Sequence, residues 1–184
     1  MELHGKVGPS LVYGLGYTYA NARLTSDATQ PFAVPPNPPV VIAPSGTQLP
    51  AAPKNVLIAS LDYTVHLASG LTLVPHVDAY YQSKTLSHLD VNEAASNPLS
   101  GYSIWNAQIA LNGKQWTVAL TARNLTNSLA VSGIYPENRF GSVPLYPSYF
   151  DFFFNTNNYG FFGDTTRELI ARPRTIGLIA KYSF

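Results

Sequence analysis

Bulky apolar residues alternate with small or polar ones along much of this chain. From Leu11 the odd positions read Leu11, Tyr13, Leu15, Tyr17 and Tyr19, and the even ones Val12, Gly14, Gly16, Thr18 and Ala20. Side chains along a strand point to opposite faces in turn, so this period predicts a strand with one large apolar face. Leu57, Ala59, Leu61, Tyr63, Val65 and Leu67 repeat the pattern against Ser60, Asp62, Thr64 and His66. After an Ala68-Ser69-Gly70 turn, Leu71, Leu73, Pro75, Val77, Ala79 and Tyr81 alternate with Thr72, Val74, His76, Asp78 and Gln82. Pairing Leu67 with Leu71 sets odd against odd along the hairpin. Both apolar rows then share a side, and Asp62 faces His76 on the other.

The next apolar row is Trp105, Ala107, Ile109 and Leu111, followed by Asn112-Gly113, a dipeptide suited to a two-residue hairpin turn. That turn pairs Leu111 with Lys114 and Ile109 with Trp116, so odd now faces even. The returning strand has the matching parity: Trp116, Val118, Leu120 and Ala122 are apolar, while Thr117, Thr121 and Arg123 are polar. A last strand runs from about Arg172 to the end. Ile176, Leu178, Ala180, Tyr182 and Phe184 form one face; Thr175, Gly177, Lys181 and Ser183 form the other, with Ile179 an exception. Six full strands are expected, and Glu2 to Val7 supplies part of a seventh.

Connections alternate in length. Short turns fall near Gly8-Pro9, at Ala68 to Gly70 and at Asn112-Gly113; long links run from Thr25 to Pro53, Leu86 to Ser100 and about Asn127 to Ala171. Long links without structure of their own are uncommon in compact domains. Short turns at one end and long loops at the other are the mark of an outer-membrane β-barrel, with the long loops outside the cell. The first link is rich in proline, from Pro31 to Pro53, and is expected to be extended.

Composition sharpens this reading. Charged residues make up only 11% of the 184 positions, against roughly 25% in an ordinary globular domain. A lipid-facing surface needs no charge, whereas a soluble protein so constituted risks association. No apolar run approaches the roughly 18 residues of a membrane helix, so a membrane-spanning form must be a closed barrel. The expected fold is therefore all-β: an antiparallel transmembrane barrel segment of about six to seven strands, an incomplete barrel with short periplasmic turns. The alternative is a soluble or secreted β-sandwich with a binding role, for carbohydrate for instance, which would bury the same rows against a second sheet. A net charge of +1 gives no field for nucleic acid, and the absence of cysteine removes disulfides and thiolate metal sites. The opening Met-Glu-Leu-His-Gly-Lys-Val has no signal-peptide core, so an export signal is expected on upstream sequence.

Several segments resemble TonB-dependent receptors of the bacterial outer membrane. Ala122-Arg123-Asn124-Leu125-Thr126-Asn127, after the strand that carries Trp116, is similar to a motif near the end of that family. So is Arg172-Pro173-Arg174-Thr175-Ile176-Gly177-Leu178 leading to Lys181-Tyr182-Ser183-Phe184. Leu49-Pro50 with Ala52-Pro53-Lys54, and Tyr17-Thr18-Tyr19-Ala20-Asn21-Ala22-Arg23, resemble its late strand junctions. The resemblance implies that residues 1–184 are the C-terminal part of a receptor barrel, without the N-terminal plug domain. It implies energy-coupled uptake of a ligand such as a ferric siderophore, with the TonB energy-transducing complex acting only through a plug absent from this chain. Outer-membrane lipid and the barrel assembly machinery are the further partners implied, the latter reading the terminal Tyr182 and Phe184. No cofactor follows from it.

Candidate chemistry is sparse, and no enzyme is expected. The histidines are His4, His66, His76 and His88; His66 and His76 lie on paired strands without a convergent third ligand, so no metal site is expected. Asp62 and Asp78 share a face and read as polar lumen lining. Asn124-Leu125-Thr126 matches a glycosylation sequon, but at a strand end Asn124 is better placed to satisfy turn backbone. The segment from Tyr135 to Phe162 is dense in aromatics. Tyr135, Arg139, Tyr146 and Tyr149 are its candidate ligand contacts, by stacking and cation–π attraction. The competing reading is an aromatic girdle or packing between loops.

Overall fold

The computed structural model describes residues 1–29, 39–89, 98–137 and 165–184. In chain order the strands are β1 (Glu2–Val7), β2 (Leu11–Tyr19), β3 (Ala28–Thr29), β4 (Val41–Ala43), β5 (Asn55–Tyr63), β6 (Val65–His66) and β7 (Thr72–Gln82). They continue with β8 (Thr85–Leu86), β9 (Pro98–Leu99), β10 (Tyr102–Asn112), β11 (Trp116–Arg123), β12 (Gly133–Glu137), β13 (Thr165–Leu169) and β14 (Thr175–Tyr182). The long strands make one sheet in the order β1-β2-β5-β7-β10-β11-β14, with β6 also on β7. Every pairing in it is antiparallel.

The register joins the alternating rows into two continuous faces. Leu3 opposes Leu15, which opposes Ala59, and Ala59 opposes Ala79, then Trp105. A second apolar row runs Leu11, Tyr63, then across from Pro75 to Ile109, Leu120 and Leu178. Within this sheet the large apolar side chains stay uncovered: Ile109 is 50% exposed, Leu120 52% and Leu178 72%. Among the described residues no second sheet lies over them, as a sandwich would require; the remaining sheets are three two-stranded ladders. Most aromatics on this face sit toward strand ends. Tyr17, Tyr19, Tyr81 and Trp105 lie toward one end, and Tyr63, Trp116, Tyr182 and Phe184 toward the other, with mainly Leu, Ile, Val and Ala between them; Tyr13, in the row of Leu61, Val77 and Ala107, is the exception.

The turns follow the sequence closely, with one correction. Val7 pairs with Leu11 around Gly8, which has φ of +61°, and Leu67 N donates to Leu71 O at 2.9 Å around Gly70, at φ +76°. The third hairpin does not turn on Asn112-Gly113. Ile109 pairs with Leu120 and Leu111 with Val118, and the loop is Lys114-Gln115, closed by Gly113 N donating to Trp116 O at 2.8 Å. Neither Asn112 nor Gly113 has the positive φ the expected turn needs. Gly113 serves a different purpose: the Trp116 indole lies where its Cβ would be. The pairing slips by an even number of positions, so the faces survive the change.

Turns gather at one end of the sheet and the three long links at the other. Each link folds back on itself through a short ladder: β3 with β4, β8 with β9, and β12 with β13. The links also meet one another. Ala51 N donates to Leu86 O at 3.1 Å, and His88 Nε2 lies 2.8 Å from Ile134 O. Of the few buried residues, Ala43, Leu99 and Ala130 belong to links.

Candidate functional site

The face opposite the apolar rows is polar at mid-height. Two adjacent rows cross all the long strands. One reads His4, Gly14, Ser60, Asp78, Asn106, Arg123 and Thr175; the other Lys6, Val12, Asp62, His76, Gln108, Thr121 and Gly177. An apolar row, Val74, Ala110, Ala119 and Ile179, borders them on the turn side. Ile179, the apolar exception in the last strand, is therefore one member of a band. On the link side Gly16, Ile58, Tyr80 and Ile104 form a second border. Glycine in these rows makes room: a Cβ on Gly14 would lie 2.8 Å from Ser60 Oγ and 3.1 Å from His4 Nδ1.

A hydrogen-bonded chain runs along this belt. His76 Nδ1 lies 2.8 Å from Asp62 Oδ1, and its Nε2 lies 3.3 Å from Asp78 Oδ1. Asn106 Nδ2 donates to Asp78 Oδ2 at 2.7 Å. Asn106 Oδ1 accepts from Asn124 N at 3.0 Å. Asn124 is buried at φ +49°, and its amide donates to Ser128 O at 2.8 Å and Arg172 O at 2.9 Å while accepting from Ser128 N at 2.9 Å. The wall is thus tied, side chain by side chain, to the base of the third link. Beside the chain the face is hollowed into a concavity of about 600 Å³ that reaches from His76 and Asp78 to Arg123 and Thr175. Such a surface offers donors and acceptors in plenty. No three His, Cys, Asp or Glu among the described residues converge to hold a metal ion.

Of the expected ligand contacts, Tyr135 lies in β12, opposite Arg167. Arg139, Tyr146 and Tyr149 fall outside the described residues. Tyr182 stands on the apolar face of β14 opposite Trp116, and its ring meets Phe184 edge-on at 5.1 Å. The expected Asp62–His76 pair is present. Asn106 was not singled out by sequence reasoning, because its neighbour Asp78 is fixed by a register set across the long link between β7 and β10. Asn124 satisfies turn backbone, as its place at a strand end implied.

Residues 1–125 match the model of the TonB-dependent receptor-like β-barrel family. The chain belongs to that family. In structure it is similar to the siderophore receptor PiuA from Acinetobacter baumannii, with a TM-score of 0.63 at 17% identity. The match covers 97% of this chain and 20% of that one. No curated protein matches the sequence. An open antiparallel sheet with one apolar and one polar face agrees with a section of such a receptor barrel, and a family of receptors accords with the expectation of no catalysis.

Proposed function

We propose that residues 1–184 form the C-terminal wall of an outer-membrane TonB-dependent receptor, which takes up a ligand such as a ferric siderophore when the barrel is complete. The observation that carries this reading is the uncovered apolar face, continuous across the long strands and bounded by aromatics at both strand ends. In water such a face would associate; in a bilayer it meets hydrocarbon, with rings at the two interfaces. Strands of 8 to 11 residues in β2, β5, β7, β10, β11 and β14 suit tilted strands that cross with about 9–11 residues. The polar belt then faces the lumen, where a plug supplied outside these residues would lie and transmit the pull of TonB. The links lie outside the cell, and Tyr135, Arg139, Tyr146 and Tyr149 in the third are the proposed ligand contacts. Tyr182 and Phe184 are proposed as the element read by the barrel assembly machinery.

The two tryptophans give a direct test, since Trp105 and Trp116 both stand on the apolar face, toward opposite strand ends. Reconstituted into vesicles of brominated phosphatidylcholine, the protein should lose tryptophan emission. The loss should be strongest with bromine high on the acyl chain. Unquenched emission from a folded chain would sink the membrane assignment.

A further inference from the structure

Two hollows on the polar face meet beneath the third link. The larger ends at Asn106, Arg123 and Thr175. The same three residues open a second, of about 210 Å³, which Asn124 and Arg172 also line. Both arginines are exposed, and among the described residues neither guanidinium has a hydrogen bond or an ion pair. Arg172 is held by its backbone, whose carbonyl accepts from Asn124 Nδ2 at 2.9 Å. The acids of the face are engaged elsewhere. Asp78 turns Oδ1 to His76 at 3.3 Å and accepts from Asn106 through Oδ2 at 2.7 Å, and Asp62 faces His76 at 2.8 Å. The neutral groups are spent as well: Asn106 serves Asp78 and Asn124 N, and the Thr175 hydroxyl donates to Pro173 O at 3.1 Å. Charge on this face is thus divided, with carboxylates on β5 and β7 and guanidinium groups at β11 and just ahead of β14.

We infer that Arg123 and Arg172 form a subsite for an oxyanion of a small ligand, a carboxylate or a phosphoryl group. Two cations on one hollow repel each other unless an anion lies between them. A guanidinium fork meets an oxyanion through two parallel N–H···O bonds, which a carbonyl or a hydroxyl cannot match. The inference deepens the receptor reading above and rests on it. The ligand class it selects is anionic, because a neutral or cationic ligand would leave both guanidinium groups without a partner and would gain nothing from their field. The smaller hollow opens from the larger one, so the oxyanion enters from the polar side of the wall. Once bound, it bridges a strand of the wall to the base of the third link, where Asn124 fixes the Arg172 backbone.

The test uses the full chain refolded in phosphocholine micelles, read by nitrogen-15 shifts of arginine Nε and of the Asn106 and Asn124 side-chain amides. Succinate or inorganic phosphate should shift these signals to saturation, and dimethyl succinate should not; whichever anion binds more tightly identifies the oxyanion. Arg123→Gln and Arg172→Gln should each weaken binding about tenfold, the loss of one charge-assisted pair. The lysine variants at both positions should keep part of the affinity, and spectra of unchanged dispersion show that each variant folds. Arg174→Gln, at a position that lines neither hollow, should bind as the parent does. No shift with either anion, equal binding of the dimethyl ester, or an equal loss in Arg174→Gln would overturn the subsite. Tightest binding by a glutamyl peptide would give the arginines to an acidic protein segment and overturn the small-ligand assignment. Absent binding in a chain whose tryptophans are still quenched by brominated lipid refutes the subsite alone; lost quenching overturns the membrane reading.

Discussion

His76 presents one ring nitrogen to Asp62 on the neighbouring strand, at 2.8 Å, and the other to Asp78 two places along its own strand, at 3.3 Å. A neutral imidazole carries a single N–H and can donate to only one of these carboxylates. Both acids are more than a third exposed on their side chains, so solvent screens the pair, and a double-mutant cycle of Asp62→Asn with His76→Gln should give a coupling below about 1 kcal/mol. Asn106→Ala should cost more, about 1–3 kcal/mol, because it strips a partner from Asp78 and from Asn124 N together. Urea unfolding in lipid vesicles measures both.

Ile109 and Leu120 face each other in the middle of the apolar face, while Gln108 and Thr121 do so on the polar one. Lysine at position 109 should destabilise the assembled barrel by about 2–4 kcal/mol, the cost of a cation near the bilayer midplane. Gln108→Lys should leave stability almost unchanged. Equal effects at the two neighbours would contradict the assignment of faces.

Asn124 combines a left-handed backbone with three side-chain bonds to link backbone. Asn124→Gly keeps the conformation and loses the bonds; Asn124→Ala loses both. Alanine should therefore cost about 1–2 kcal/mol more than glycine, the penalty of the left-handed region for an L residue. Both variants should speed proteolysis in the 128–172 link. Limited digestion of intact vesicles would show it.

Gly113→Ala places a methyl group where the Trp116 indole now lies. The ring must swing out, at a cost of about 1–3 kcal/mol for an overfilled contact. A shift in Trp116 emission, followed in a Trp105→Phe background, is the readout. An unchanged spectrum would mean the indole does not occupy that position.

Period-two alternation was enough to locate each long strand and both faces, because a register error of an even number of residues leaves every side chain on its own side. That is why misreading Asn112-Gly113 as the turn did no harm to the faces. The Asp62–His76 contact was legible because a three-residue turn fixes its register from Leu67 and Leu71. Asp78 with Asn106 was not, since a link of many residues separates their strands and sets no register by itself. The short ladders in the links were also missed: two- and three-residue pairings such as Ala28–Thr29 with Val41–Ala43 leave no periodicity to read. The expected ligand contacts Arg139, Tyr146 and Tyr149 lie beyond the described residues, and Tyr135 is placed only by its backbone.

Among the described residues the buried apolar side chains are few and divided: Ala110 and Ala119 lie side by side in the wall, and Ala43, Leu99 and Ala130 within the links. On the proposed membrane reading the large side chains of the wall take their solvent exclusion from lipid, whereas the described link segments bury some of theirs against one another. Thinning the bilayer or exchanging it for a short-chain detergent is then expected to loosen the long strands before the short ladders β3–β4, β8–β9 and β12–β13.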